Sequence, residues 1–161
     1  MNGLRSRLAV MTLSAALSTA AEAAPDLIGT WHLVSYDVED QATHAHNPVM
    51  GEHPSGGAVF TSDGHVFFLL TGDGRQPAAS DADKAKLLDT MVAYSGKLRI
   101  DGDDWITTVE SAWNPAWVGT EQRRTFKIEG DRLQVMTPWR VMPNWPEKGL
   151  SRSIVTFERV K

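Results

Sequence analysis

Three times the chain runs an alternating segment into an acidic-glycine turn and out again. "GGAVFTSDGHVFFLL" turns at Asp63-Gly64, "YSGKLRIDGDDWITTVESAW" at Asp101-Gly102-Asp103-Asp104, and "TEQRRTFKIEGDRLQVMT" at Glu129-Gly130-Asp131. A short Asp/Gly turn between alternating runs is a strong hairpin signal, because glycine adopts the positive φ that tight turns require. "GTWHLVSYDV" adds a strand before these hairpins, with Trp31, Leu33 and Ser35 on one face and His32, Val34 and Tyr36 on the other. "RSIVTFERVK" adds one after them. The total is eight strands, mostly joined to their sequence neighbours. A meander of this length must close or pack to protect its edges. The expectation is an all-β, eight-stranded antiparallel up-and-down barrel.

One helix interrupts the strands. Ser80 stands three residues before Asp83, as in a capping box, and "DADKAKLLDTMVAY" follows. Leu87, Leu88, Met91 and Val92 form one apolar stripe, expected to lie against the barrel. Two long connections remain. "EDQATHAHNPVMGEHPSGG" is polar and rich in turn residues, whereas "TPWRVMPNWPEKGLS" carries Trp139, Val141, Met142 and Trp145 among three prolines. An apolar loop needs a place for its side chains. Covering the barrel mouth and packing on the outer wall both remain open.

The first 23 residues read as a secretory signal peptide. Arg5 and Arg7 precede an apolar run from Leu8 to Ala20, and Ala21-Glu22-Ala23 gives a small-x-small cleavage site. The run is too short to span a bilayer. The expected mature domain is residues 24–161, periplasmic or secreted, with no integral membrane segment. Without Arg5, Arg7 and Glu22, the 16 basic and 20 acidic residues fall to 14 and 19, a formal charge of −5. A mildly acidic chain lacking basic clusters argues against nucleic acid as a partner. With no cysteine, disulfides, thiol catalysis and cysteine-ligated metal are excluded.

"LIGTWHLVSYDVED" resembles the opening strand of calycins, the group that includes lipocalins and fatty-acid-binding proteins. With "GEHPSGGAVFTSDGH", "MVAYSGKLRIDGD", "VESAWNPAWVGTEQRRTF", "GDRLQVMTP" and "TFERV", nearly the whole mature chain resembles the bacterial and fungal lipocalin-like domain family. The resemblance implies a closed barrel with an internal cavity; it implies no single reaction. Arg159 resembles the lipocalin arginine that packs across the first-strand Trp, here Trp31. Two departures matter. Thr107 and Thr108 stand where family members often carry His. Val155 and Phe157 stand where fatty-acid-binding proteins clamp a carboxylate with Arg-x-Tyr.

Period two makes Arg124 share a face with Gln122, Phe126 and Ile128, and puts the adjacent Arg123 on the other. If that face is the inner one, Arg124 enters the barrel. On the preceding strand, Ile106, Thr108, Glu110 and Ala112 share a face. If Glu110 also points inward, it would pair with Arg124 or meet polar ligand groups, since an unpaired buried charge is costly. The alternatives are a structural ion pair or a Glu on the solvent face. His44, His46, Glu52 and His53 lie in a polar loop without ligand spacing, so no metal is expected. Ser35 and Ser111 show no nucleophile elbow. No phosphate-binding glycine loop is present, and no cofactor is expected.

These features point to a barrel binding a small, mainly hydrophobic molecule. Trp31, Leu33, Tyr94, Thr108, Glu110, Trp117, Arg124, Phe126 and Met136 are the expected ligand-binding residues. Apolar walls with few polar anchors are the usual plan of such pockets. The alternative is a cofactor-free isomerase, cyclase or hydrolase of a small hydrophobic metabolite, with Glu110 as base and Arg124 stabilising anionic charge. A filled barrel that serves only as an interaction module is the third reading. A monomer or weak dimer is expected.

Overall fold

The computed structural model describes residues 25–161. The expected leader therefore lies outside the described residues. After a 3-10 turn at Pro25–Leu27 come β1 Gly29–Asp40, β2 His46–Asn47, β3 Ser55–Phe60, β4 His65–Thr71, α1 Asp81–Asp89, β5 Met91–Asp101, β6 Asp104–Ala112, β7 Glu121–Glu129, β8 Arg132–Met136, β9 Arg140–Val141 and β10 Leu150–Arg159. Eight of the strands form one antiparallel sheet, and β1 pairs with β10 to close it into the expected eight-stranded barrel. The two-residue strands β2 and β9 only extend β1 and β10 at the rim.

The acidic-glycine turns are where the sequence puts them, with Gly64, Gly102 and Gly130 at φ of 80°, 61° and 60°. They share one end of the barrel, the base, with the start of β1 and the end of β10. The four long connections, 41–54, 72–90, 113–120 and 137–149, all lie at the other end, the mouth. The base is plugged by Trp31, which is fully buried. Its indole N–H donates to the Leu27 carbonyl at 2.9 Å, and the Arg159 guanidinium stands 4.2 Å from the ring. Arg159 also donates to the carbonyls of Ile28 and Asp26, so the lid over Trp31 is fixed on both sides. Above it, Phe60, Phe68, Trp105 and Phe157 fill the axis in edge-on and tilted contacts.

Two bulges reset the alternation. One lies between Leu33 and Ser35, so the inward set on β1 is Trp31, Leu33, Tyr36 and Val38. Ser35 therefore leaves the face on which simple alternation places it. The other lies where Ser95 and Gly96 of β5 face Ser111 and Val109 of β6, which leaves Glu110 without a partner. A Cβ on Gly96 would sit 2.1 Å from the Thr108 carbonyl oxygen, so only glycine permits this approach.

Helix α1 begins as expected, with the Ser80 hydroxyl accepting from the Asp83 N–H at 3.1 Å. It then stops at Asp89, and Arg75 donates to the carbonyls of Leu87 and Thr90 at its end. Met91 and Val92 belong to β5, and no helix residue is buried. The expected apolar stripe against the barrel does not form. Leu87 and Leu88 alone are too few to make one, and Leu88 is 54% exposed. Among the described residues no helix is long and apolar enough to cross a membrane.

Candidate functional site

The apolar connection 137–149 places its side chains in both of the ways open to it. Trp139 lies on the outer wall, with the Arg152 guanidinium 4.6 Å from its ring. Met142 and Trp145 turn inward and are buried at the mouth. Trp145 meets Tyr36 edge-on at 5.6 Å, and the Ser153 hydroxyl approaches the Met142 sulfur at 3.9 Å. Across the mouth, the Asn144 side-chain amide donates to the carbonyls of Asp89 and Met91, both at 3.1 Å. The segment is a lid, hinged on β8 and β10 and latched to the start of β5.

A second piece closes the same end. Asn114 caps the 3-10 turn Pro115–Trp117 by accepting from the Ala116 N–H, and Pro115 supplies a φ suited to its first position. The turn drops Trp117 into the mouth, against Tyr94 at 5.6 Å and Trp113 at 4.7 Å.

Beneath these pieces lies a polar group of residues in an aromatic chamber. Arg124 of β7 is buried and points inward, opposite Trp105. It donates to the Arg123 carbonyl at 2.7 Å and to the Gln122 side-chain oxygen at 3.3 Å. Arg140 of the lid reaches the same Gln122 oxygen at 3.3 Å. Both guanidinium groups stand against the Trp117 ring, at 5.8 and 5.4 Å from its centroid. Burial, reinforced by the neighbouring Arg124 cation, pushes the Arg140 guanidinium down to about 10, which still leaves it protonated at neutral pH. Burial also raises the Tyr36 and Tyr94 phenols, so both stay protonated. Tyr36 shares a hydrogen bond of 2.7 Å with Ser153. Among the described residues, the Trp105 indole N–H, the Thr107 hydroxyl and the Arg140 Nε–H are buried without a partner.

The space left between these groups is about 30 Å³, bordered by Tyr36, Tyr94, Trp105, Trp117, Arg124 and Thr137. That is room for one or two waters. In this closed form the barrel is packed, and anything larger must displace part of the lid.

Tyr94, Trp117 and Arg124 therefore meet in one place. Trp31 and Leu33 are buried deeper, in the base, and Phe126 lines the wall half-buried beside Trp105. Three expected residues lie elsewhere. Glu110 and Thr108 are exposed on the outer face, because β6 turns Trp105, Thr107 and Val109 inward and alternation leaves Thr108 and Glu110 outward. Met136 also points outward, because Leu133 and Val135 are the inward residues of β8. The expected pairing of Glu110 with Arg124 inside the barrel is thus corrected, and Glu110 cannot serve as base to a ligand held by Arg124. Arg123 faces out and pairs with Asp104 at 2.7 Å and Asp101 at 3.0 Å. It stands beside Ile106, which pairs in register with Arg99 and Arg123 and is buried on this outer face.

Sequence reasoning missed Tyr36 and Arg140. The β1 bulge hides the first. The second had one signal, a lone cation in the middle of an apolar loop. His44 hydrogen-bonds Glu39 at 2.9 Å, and among the described residues no three His, Asp or Glu side chains gather as metal ligands would. A separate open groove of about 750 Å³ runs along the outer wall, over Val59, Phe67, Leu69, Met91 and Trp113. It is larger than the inner space, and no Asp, Glu, Lys or Arg side chain lines its walls.

A family model described as a lipocalin-like domain matches residues 28–160. A comparison with curated proteins returns no match.

Proposed function

The chain belongs to the lipocalin-like domain family, and from that premise we propose that it is an exported carrier that holds a small, mainly apolar molecule inside the mouth end of its barrel. The observation that carries this reading is the chamber itself. Aromatic rings of Tyr36, Phe68, Tyr94, Trp105 and Trp117 surround one inward, buried cation, and among the described residues the covers are two connecting segments, 113–120 and 137–149, of which the second holds the two-residue strand β9. Apolar walls around a few polar anchors are what a ligand site needs. A core that served packing alone would gain nothing from a buried guanidinium whose partners are a backbone carbonyl and one amide. The ligand replaces Met142 and Trp145, which swing out with the lid.

The outer groove is the rival location. It is open to solvent along its length, so it cannot enclose a molecule as the mouth can. Native mass spectrometry of protein recovered from a periplasmic or culture fraction tests the reading. The expected spectrum shows a chain beginning near Ala24, with an added small mass that is lost on mild activation. A chain that stays free of added mass, and binds no aromatic or aliphatic probe on titration, overturns it.

A further inference from the structure

We propose that the head group of the ligand is a carboxylate, gripped between Arg124 of the barrel wall and Arg140 of the lid. The inference rests on the carrier reading and adds what class of molecule the mouth selects. Two cations approach one another under the lid. They share a single neutral acceptor, the Gln122 side-chain oxygen, and one aromatic face, that of Trp117. Neither forms an ion pair among the described residues, although three arginines on the outer face of the barrel strands do: Arg99 with Glu121, Arg123 with Asp101 and Asp104, and Arg152 with Glu39. Like charges held together away from water repel and lose solvation. The arrangement becomes favourable once an anion sits between them.

The unpartnered donors say where the anion goes. Arg140 Nε–H is buried with no acceptor, and the Trp105 indole N–H and Thr107 hydroxyl are in the same condition in the adjoining wall. The Tyr36 and Tyr94 phenols, both protonated, feel both guanidinium groups. Every unfilled valence named here is a donor or can act as one. A planar guanidinium fork matches a carboxylate with two parallel hydrogen bonds, which a point cation cannot do. The free space of about 30 Å³ lies against Arg124 and not against Arg140, so a head group that meets both takes, with its tail, volume from the displaced lid side chains.

Position adds a second consequence. Arg124 belongs to the β7 wall, whereas Arg140 sits in β9 at the foot of the 137–149 segment, where it pairs with Ser151 of β10. A bridging carboxylate ties the two together, so an acid closes the lid behind itself and a neutral molecule of the same shape does not.

The test uses the mature chain and three probes: 4-phenylbutanoate, the matching alcohol 4-phenylbutan-1-ol, and acetate as the head group alone. Affinities come from calorimetry, and acetate is read as a melting shift against chloride at equal ionic strength. Wild type is expected to bind the acid at least about tenfold tighter than the alcohol. Arg140→Met should remove roughly ten- to hundredfold of the acid affinity and cost the alcohol at most a few-fold. Its ligand-free form should melt no lower than wild type, because repulsion with Arg124 is relieved; a merely structural Arg140 would instead lower the melt. Arg140→Lys, which keeps charge and loses the fork, should recover only part of the acid preference. Arg123→Met should behave as wild type throughout. Equal binding of acid and alcohol overturns the carboxylate site and leaves the carrier reading standing. Acetate stabilisation that vanishes in Arg140→Met, with neither phenyl compound bound, upholds the anion site and overturns the apolar carrier. Acid and acetate effects that survive both Arg140 variants overturn the two-arginine site.

Discussion

Removing the latch should loosen the lid without loosening the barrel. Asn144 reaches from the lid to the start of β5, with two hydrogen bonds of 3.1 Å to the carbonyls of Asp89 and Met91. Asn144→Ala deletes both. A neutral hydrogen bond contributes a net ~0.5–1.5 kcal/mol, and the Asp89 carbonyl, at an exposed helix end, belongs at the lower end of that range. Together the two are worth about 1–2 kcal/mol, which raises the lid-opening constant by roughly five- to thirtyfold. Met142 and Trp145 still pack in the closed state, so closed remains the major form. Native-state hydrogen exchange reads this directly. The Trp145 and Lys148 amides are bonded within the lid, to the carbonyls of Met142 and Trp145 at 3.2 and 3.1 Å. Their exchange should quicken by that factor, while amides of the β4–β5 ladder keep their protection, because lid opening is a local event. Unchanged lid amides would mean Asn144 is no latch. A uniform rise over lid and barrel alike would mean the segment is part of the cooperative core.

Other outcomes follow from the same structure. Trp31→Ala removes the base plug and strands the Leu27 carbonyl, at a cost of about 3–5 kcal/mol; thermal melts should fall by roughly 10 °C or more, and a fall of one or two degrees would contradict the plug. Arg123→Met should shift the melt little, since exposed pairs contribute under about 1 kcal/mol, whereas Arg124→Met should abolish preference for an acid over its alcohol. Hydrogen bonds from His44 and Arg152 hold the Glu39 carboxyl below its ordinary value of 4.5. Its stabilising effect is therefore complete above that pH and is lost as pH falls through the lowered value. The melting difference between wild type and Glu39→Gln should be constant near neutrality and shrink in acid; a difference that grows in acid would refute the pairing.

The barrel was legible because its signals are local. Asp63-Gly64, Asp101-Gly102 and Glu129-Gly130 name their own turns, and each turn sets the pairing of the strands on either side of it. The capping residue Ser80 was legible for the same reason. Arg124 could be placed by parity with Gln122 and Phe126, since β7 carries no bulge. The failures have separate physical causes. Tyr36 follows the β1 bulge, and one extra residue reverses the faces beyond it without any change in composition. Glu110 keeps the parity of the exposed Thr108, but Ile106 and Ala112 in the same alternating set make that face read as an inner one. Met136 is apolar and so reads as lining, but Leu133 and Val135 hold the inward parity of β8, which turns Met136 out. Arg140 was missed because its place depends on how a loop docks, and loop composition does not encode a docking site. The two placements open to Trp139, Met142 and Trp145 proved compatible, one residue taking the wall and two the mouth.

The most direct measurement of the central claim is a crystal structure of the mature chain grown with 4-phenylbutanoate. The account predicts the phenyl group between Tyr94, Trp117 and Phe68, the carboxylate at Arg124, and Met142 and Trp145 displaced from the mouth. Density confined to the outer groove over Phe67 and Leu69, with the lid side chains still buried, would contradict it.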